Sequence, residues 1–232
     1  MKQFFLSVFL LFNFLLSAQN PTANIVGNIF DVKWKGQLGS AIKFDTLNNR
    51  STLYGMGPGA YLRGEVFIID GECYTASVLD EDYMDIEKGF YGGSPFFVYG
   101  NVNKWQTVKL PSKVKDLKQL ELFLTSRSKK LKQPFLFRLE GRIDMAKFYV
   151  GNLTRGTLVS NPQDAERNST IYKIYDKKVD ILGVYTNQHK DVLFLDESLI
   201  YLQLITADKT KIGYIKDLKI NPKKLILLLP VE

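Results

Sequence analysis

Residues 4–16 form one apolar run broken only by Ser7 and Asn13, and nothing later in the chain repeats it. From residue 65 onward the pattern changes to short apolar or alternating stretches punctuated by Gly, Pro, Asn and Asp, which predicts strands and turns. Residues 65–69 close on Asp70-Gly71, and 73–78 follow at hairpin distance. Further strands are expected at 95–99, 107–110, 135–140, 147–153, 171–175, 181–185, 198–206, 211–215 and 225–231. One stretch reads as a helix. After Pro111-Ser112, residues 113–132 carry Val114, Leu117, Leu120, Leu122 and Leu124 partly at helical spacing, with a basic opposite face. No Pro-, Gly- or Ser-rich linker interrupts the series. The pattern predicts an α+β fold of two similar, intimately joined β-rich halves, 19–125 and 126–232, with mixed or antiparallel sheets and few helices.

The opening run is too short to span a bilayer. With Lys2 before it and Leu16-Ser17-Ala18 after it, residues 1–18 read as a secretory signal peptide. Position 19 is Gln rather than the Cys of a bacterial lipoprotein. No later segment approaches 18 uninterrupted apolar residues, so no transmembrane segment is expected after cleavage. The expected destination is the periplasm or the medium.

Composition narrows the chemistry. The 13% share of aromatic residues suits strands. There is one His and one Cys, so an internal disulfide is impossible and a His/Cys zinc site of three or four ligands cannot be assembled. The net charge of +7, reduced by one when Lys2 is removed, favours anionic partners in a general way. An exported protein meets little nucleic acid, and the basic residues of 113–132 read as a solvated helix face. No nucleic-acid partner is expected, and a homodimer stays open.

Most candidate chemistry is weak. His189 stands alone in a polar loop. Gly92-Gly93-Ser94-Pro95 lacks the second Gly of a nucleophile elbow. Cys73 falls on a strand, as a buried, inert thiol would. Residues 80–87 concentrate five carboxylates, but the sixth position is Asp85 where a calcium loop needs Gly. Gly55-Met56-Gly57-Pro58-Gly59 begins like a nucleotide fingerprint, yet a strand follows where that fold needs a helix, so the glycines read as a tight turn. Glu65 is the carboxylate of interest. It is either a strand-end group in water or a group entering an apolar core, where an unpaired carboxylate has a raised pKa suited to acid-base work.

Six segments carry a resemblance in a fixed order. Leu53-Tyr54-Gly55-Met56-Gly57, Leu62-Arg63-Gly64-Glu65-Val66 and Ile69-Asp70-Gly71-Glu72-Cys73-Tyr74 come first. Gly93-Ser94-Pro95-Phe96, Phe137-Arg138-Leu139-Glu140-Gly141 and Ile181-Leu182-Gly183-Val184-Tyr185-Thr186 follow, with residues 199–217 in step. Together, over residues 25–218, the chain resembles the α-acetolactate decarboxylase family, whose members show Gly-x-Gly-Thr-Phe, Leu-Asp-Gly-Glu, Ser-Pro-Phe, Ile-Arg-Ile-Asp-Gly and Val-Gly-Phe-x-Thr at matching distances.

The resemblance implies an α+β fold of two similar halves and zinc-dependent decarboxylation of 2-acetolactate to acetoin. In that chemistry zinc is a Lewis acid that stabilises an enediolate. It also implies zinc ligands at a His-x-His pair and a His after Gly, and these positions hold Tyr201, Gln203 and Tyr214. Phenol and amide groups are poor zinc ligands at neutral pH, so no cofactor is expected. The family's active-site Arg falls near Tyr149, a Thr position holds Pro58, and the C-terminal segment bearing a further Glu has no counterpart. Glu65 keeps its place as the catalytic candidate. Glu65, Tyr149, Tyr201, Gln203 and Tyr214 are expected around a residual pocket able to hydrogen-bond a small polar ligand. Three readings stand: a non-catalytic binder, an active decarboxylase with another metal arrangement or none, and a structural β-rich protein with a filled pocket.

Overall fold

The computed structural model describes residues 23–193 and 197–231, and the segment read as a signal peptide lies outside them. The first part of the chain folds into β1 (Asn24–Gly27), α1 (Ile29–Lys35), β2 (Ile42–Lys43), β3 (Leu53–Pro58), β4 (Glu65–Ile69), β5 (Glu72–Val78), β6 (Met84–Lys88), β7 (Gly93–Ser94) and β8 (Phe96–Asn101). The rest forms β9 (Trp105–Val108), α2 (Leu117–Ser128), β10 (Phe135–Val150), α3 (Pro162–Ala165), β11 (Thr170–Tyr185), α4 (Lys190–Leu193), β12 (Ile200–Thr206), β13 (Ile212–Lys219) and β14 (Leu225–Pro230).

Two antiparallel sheets result. One runs β1-β8-β3-β4-β5-β6, the other β11-β12-β13-β10-β14-β9, and β2 pairs with β7 beside them. In the second sheet β10 also pairs with β11, so β10, β11, β12 and β13 close into a ring. Period-two alternation then builds two cores at once. Leu202 and Leu204 of β12 join Phe137, Phe148 and the helix α2 in one apolar cluster. Tyr201 and Ile205, on the opposite face, meet Met56, Phe67 and Phe96 of the first sheet in another. The chain changes sheet between Asn101 and Trp105, because β9 pairs with β14, so α2 packs with the second sheet. Among the described residues no helix is long and apolar enough to cross a membrane.

The expected helix forms, but more tightly bounded. Asp116 is its N-cap, its side chain accepting from the Gln119 N–H at 2.8 Å, so α2 starts at Leu117 rather than just after Ser112. Leu120, Phe123 and Leu124 make the buried stripe at i, i+3 and i+4, while Leu122 points out at 62% exposure. The basic residues around it are exposed, as a solvated face requires. Asp116→Ala leaves the first turn without its acceptor and should cost about 1 kcal/mol in a urea titration, with the m-value unchanged.

Two long strands replace four expected short ones. β10 and β11 pair without a register break over their length, joining 135–140 to 147–150 and 171–175 to 181–185. Their middles carry Gly141 at φ +138° and Asp176 at φ +48°, with Arg142, Asp144, Lys177 and Lys178 exposed. The hairpin bends there, the residues facing the core change parity, and the apolar alternation lapses. The Gly-x-Gly segment is a second correction. It is not a turn but β3, a fully buried strand between β4 and β8. A Cβ at Gly55 would lie 2.7 Å from the Phe97 ring, and one at Gly57 would lie 2.4 Å from the Phe96 carbonyl oxygen. These glycines serve close packing rather than chain reversal.

Candidate functional site

Glu65 is the first residue of β4, and the backbone before it is unusual. Tyr61 and Leu62 both take positive φ, at 61° and 53°, and Gly64 follows at 81°. A Cβ on Gly64 would meet the Ala76 carbonyl oxygen at 2.0 Å, so no larger residue fits. Alternation along β4 places Glu65 with Phe67 and Ile69 on the face toward the second sheet, opposite Val66 and Ile68. Glu65 is therefore not a strand-end carboxylate in water; it is 2% exposed.

The second sheet supplies the facing groups by the same rule. Tyr201 and Gln203 lie two apart on β12, and Tyr214 is opposite Gln203 on β13. Tyr149 on β10 is opposite Tyr214. The Gln203 Nε2 donates to Glu65 Oε2 at 2.6 Å and approaches the Tyr201 hydroxyl at 3.3 Å. The Gly151 N–H donates to Glu65 Oε1 at 3.3 Å. Tyr214 sets its ring between its neighbours, tilted against Tyr201 at 4.7 Å and edge-on to Tyr149 at 5.2 Å between centres. All five expected residues thus come together. Glu65, Tyr149, Tyr201 and Tyr214 line a cavity of about 120 Å³, and Gln203 stands behind it against Glu65.

Three charged residues on the cavity wall were not anticipated. Lys33, buried on α1, bonds Glu166 at 2.7 Å, and Lys216 of β13 approaches the same carboxylate at 3.6 Å. Lys216 also lies over the Tyr149 and Tyr214 rings, 4.8 and 5.5 Å from their centres. A sequence signal existed for Lys216, two positions beyond Tyr214 on one strand. For Lys33 it was fainter: Asn28 capping α1 and Gly36 ending it in the left-handed conformation. His189 does not line the cavity; its ring nitrogen faces the Thr186 hydroxyl at 3.4 Å. Cys73 is buried, and burial pushes its thiol up to about 12.

Burial dominates the electrostatics. It raises the Glu65 pKa from its ordinary 4.5 to about 8, against the opposing pull of Gly151, Lys33 and Gln203. Loss of water around Tyr149 and Tyr201, with Glu65 and Tyr214 beside them, holds both phenols well above their ordinary range. Burial also resists ionising Glu166, but Lys33 and Lys216 outweigh it and hold that carboxyl below the usual value. At neutral pH Glu65 therefore keeps its proton, beside two protonated phenols.

Such donors do not suit zinc. A phenol must lose its proton to bind the ion, and these phenols hold theirs more tightly than usual. Gln203 turns its NH2 toward Glu65. Among the described residues no group of three or more His, Cys, Asp or Glu could hold a metal ion.

Comparison with known proteins accords with this fold. The family model for alpha-acetolactate decarboxylase matches residues 29–227. No curated protein sequence matches the chain. Among solved structures, acetolactate decarboxylase from Bacillus subtilis subspecies spizizenii superposes with a TM-score of 0.72 at 16% identity, covering 91% of this chain and 86% of that one. Alpha-acetolactate decarboxylase from Bacillus subtilis strain 168 gives 0.68 at 15%, covering 90% and 84%. A Staphylococcus aureus protein of unknown function, similar to alpha-acetolactate decarboxylase, gives 0.68 at 14% with the same coverage. With its family model matched over most of its length, the chain belongs to the alpha-acetolactate decarboxylase family.

Proposed function

We propose that this chain is a non-catalytic member of its family that binds a small polar ligand in the cavity beside Glu65, after export directed by residues 1–18. The observation that carries the reading is the 2.6 Å hydrogen bond from Gln203 to Glu65. It joins one former ligand position, as the resemblance assigns it, to the retained carboxyl. At the other two such positions stand Tyr201 and Tyr214, packed ring against ring. Lewis-acid stabilisation of an enediolate needs a metal held by good donors, and this set offers protonated phenols and an amide.

What remains is a hydrogen-bonding pocket. About 120 Å³ is small beside the roughly 300–1,000 Å³ of drug-sized pockets, and suits a molecule of a few carbons. Both Glu65 oxygens accept bonds from the protein, and the proton it keeps at neutral pH is available to a ligand hydroxyl or carbonyl oxygen. Acetoin, 2-acetolactate and related diols are the ligands of choice for testing.

Purified protein given racemic 2-acetolactate, with and without added zinc, should form acetoin at the no-enzyme rate, while calorimetry detects binding of acetoin or a related diol. Acetoin formation above that control overturns the non-catalytic reading, and no heat with any of these ligands overturns the binding reading. A gain-of-metal variant provides a further check. Tyr201→His/Gln203→His/Tyr214→His replaces three poor donors on the paired strands β12 and β13 and should bind zinc at one ion per chain, measured by metal analysis after dialysis.

A further inference from the structure

A second concavity lies on the other side of the Tyr61–Leu62 kink and plays no part in the site above. It is an open groove of about 690 Å³, lined among others by Leu38, Tyr61, Arg63, Leu153, Arg155 and Leu158. Both arginines are exposed, and among the described residues neither makes an ion pair or a side-chain hydrogen bond. Among the described residues no Asp or Glu lines the groove. Two guanidinium groups in one concavity without a counter-charge are a recognition device for carboxylate or phosphate, whose geometry they match.

The backbone presents these groups deliberately. Tyr61 and Leu62 are consecutive bulky residues in the left-handed region, a conformation costing on the order of 1 kcal/mol or more each. Tyr61 is held there by its N–H donating to the Leu38 carbonyl at 2.8 Å, yet its ring stays 60% exposed at the groove. The Leu153 N–H donates to the Leu62 carbonyl at 3.2 Å, and Arg63 bridges Asn152. Three segments distant in sequence are thus tied together, and from them an aromatic ring, two cations and several leucines face one space.

We propose that this groove binds an anionic ligand with an apolar or flat body, its carboxylate or phosphate held by Arg63 and Arg155 and its body lying along Tyr61 and Leu158. The site is independent of the Glu65 cavity.

Benzoate and phenyl phosphate distinguish the two anion sources, with benzyl alcohol as the neutral control. Titrated into the 15N-labelled protein, at least one anion should shift the amides of Tyr61, Arg63 and residues 154–158, saturating in the millimolar range. Arg63→Ala/Arg155→Ala, both exposed changes that leave the core untouched, should weaken that binding by about tenfold or more. Tyr61→Ala should weaken it less, and Glu65→Gln should leave it unchanged, which separates this site from the cavity. The inference is overturned if neither anion shifts these amides up to about 20 mM, if benzyl alcohol binds as well, or if the double arginine variant binds like wild type.

Discussion

Arg138→Ala is expected to lower stability by about 3–5 kcal/mol, a fall of roughly 10 °C in Tm for a chain of this size. Arg138 sits on β10 facing the first sheet, its side chain only 9% exposed. Its guanidinium donates to Asp180 on β11 at 2.9 Å and reaches Asp70, in the β4–β5 turn, at 3.4 Å. It lies 5.4 Å from the Tyr54 ring centre and 5.9 Å from that of Trp105, whose rings meet edge to face. Tyr54 in turn donates to Asp70. One cation therefore ties both sheets and fills the space between two aromatics.

The two carboxylates should not contribute equally. Asp70 is 61% exposed on its side chain, where water screens the pair, whereas Asp180 is 20% exposed. The cost of Arg138→Ala thus comes from the cavity between Tyr54 and Trp105 and from the uncompensated Asp180. Arg138→Met/Asp180→Leu removes both charges while keeping volume, and should recover most of the loss. Urea titrations of the single and double variants decide it. Equal loss in both would mean that neither the cavity nor the stranded carboxylate sets the cost, leaving the guanidinium's own contacts with Asp70, Tyr54 and Trp105.

What the sequence made legible follows the same physics. The run 65–69 was readable to the residue because β4 is buried on both faces and ends in an Asp-Gly turn. The shared face of Tyr201 and Gln203 was readable because β12 has no bulge to break its period. Other features were hidden by distant partners. β3 looked like a turn because its glycines make room for Phe97, a residue of another strand. The change of sheet ahead of Trp105 depends on β14, at the far end of the chain. Lys33 left only a faint signal for a related reason: α1 spans only seven residues, and the role of Lys33 rests on Glu166. Local pattern identifies an element; which charges meet across it is decided by topology.

The stability of the wild-type protein should fall as pH rises from 5 to 8, by about 3 kcal/mol from Glu65 alone, and Glu65→Gln should abolish that component. The sign follows from the proton count. In the unfolded chain Glu65 releases its proton near its ordinary 4.5, whereas in the fold it holds the proton up to about 8. Between those values the native state binds one proton more than the unfolded state. Each pH unit then lowers the unfolding free energy by about 1.4 kcal/mol, and the slope ends above pH 8, where both states are ionised. Solvent does not screen the effect, since Glu65 is 2% exposed. The charges around it are accounted for: Lys33 opposes the rise, and Lys33 and Lys216 are both engaged by Glu166. Urea titrations at pH 5, 6.5 and 8 should give converging curves for wild type and Glu65→Gln at the acid end and the larger stability for the variant at pH 8, once each is referred to its pH 5 value. Parallel pH profiles would mean that Glu65 ionises freely in the fold. A ligand that takes its hydrogen bond from the Glu65 proton meets only the native state, so its affinity should stay level up to about pH 8 and fall above it, where the stability profile flattens: both profiles bend at the same group, on opposite sides of its folded-state pKa.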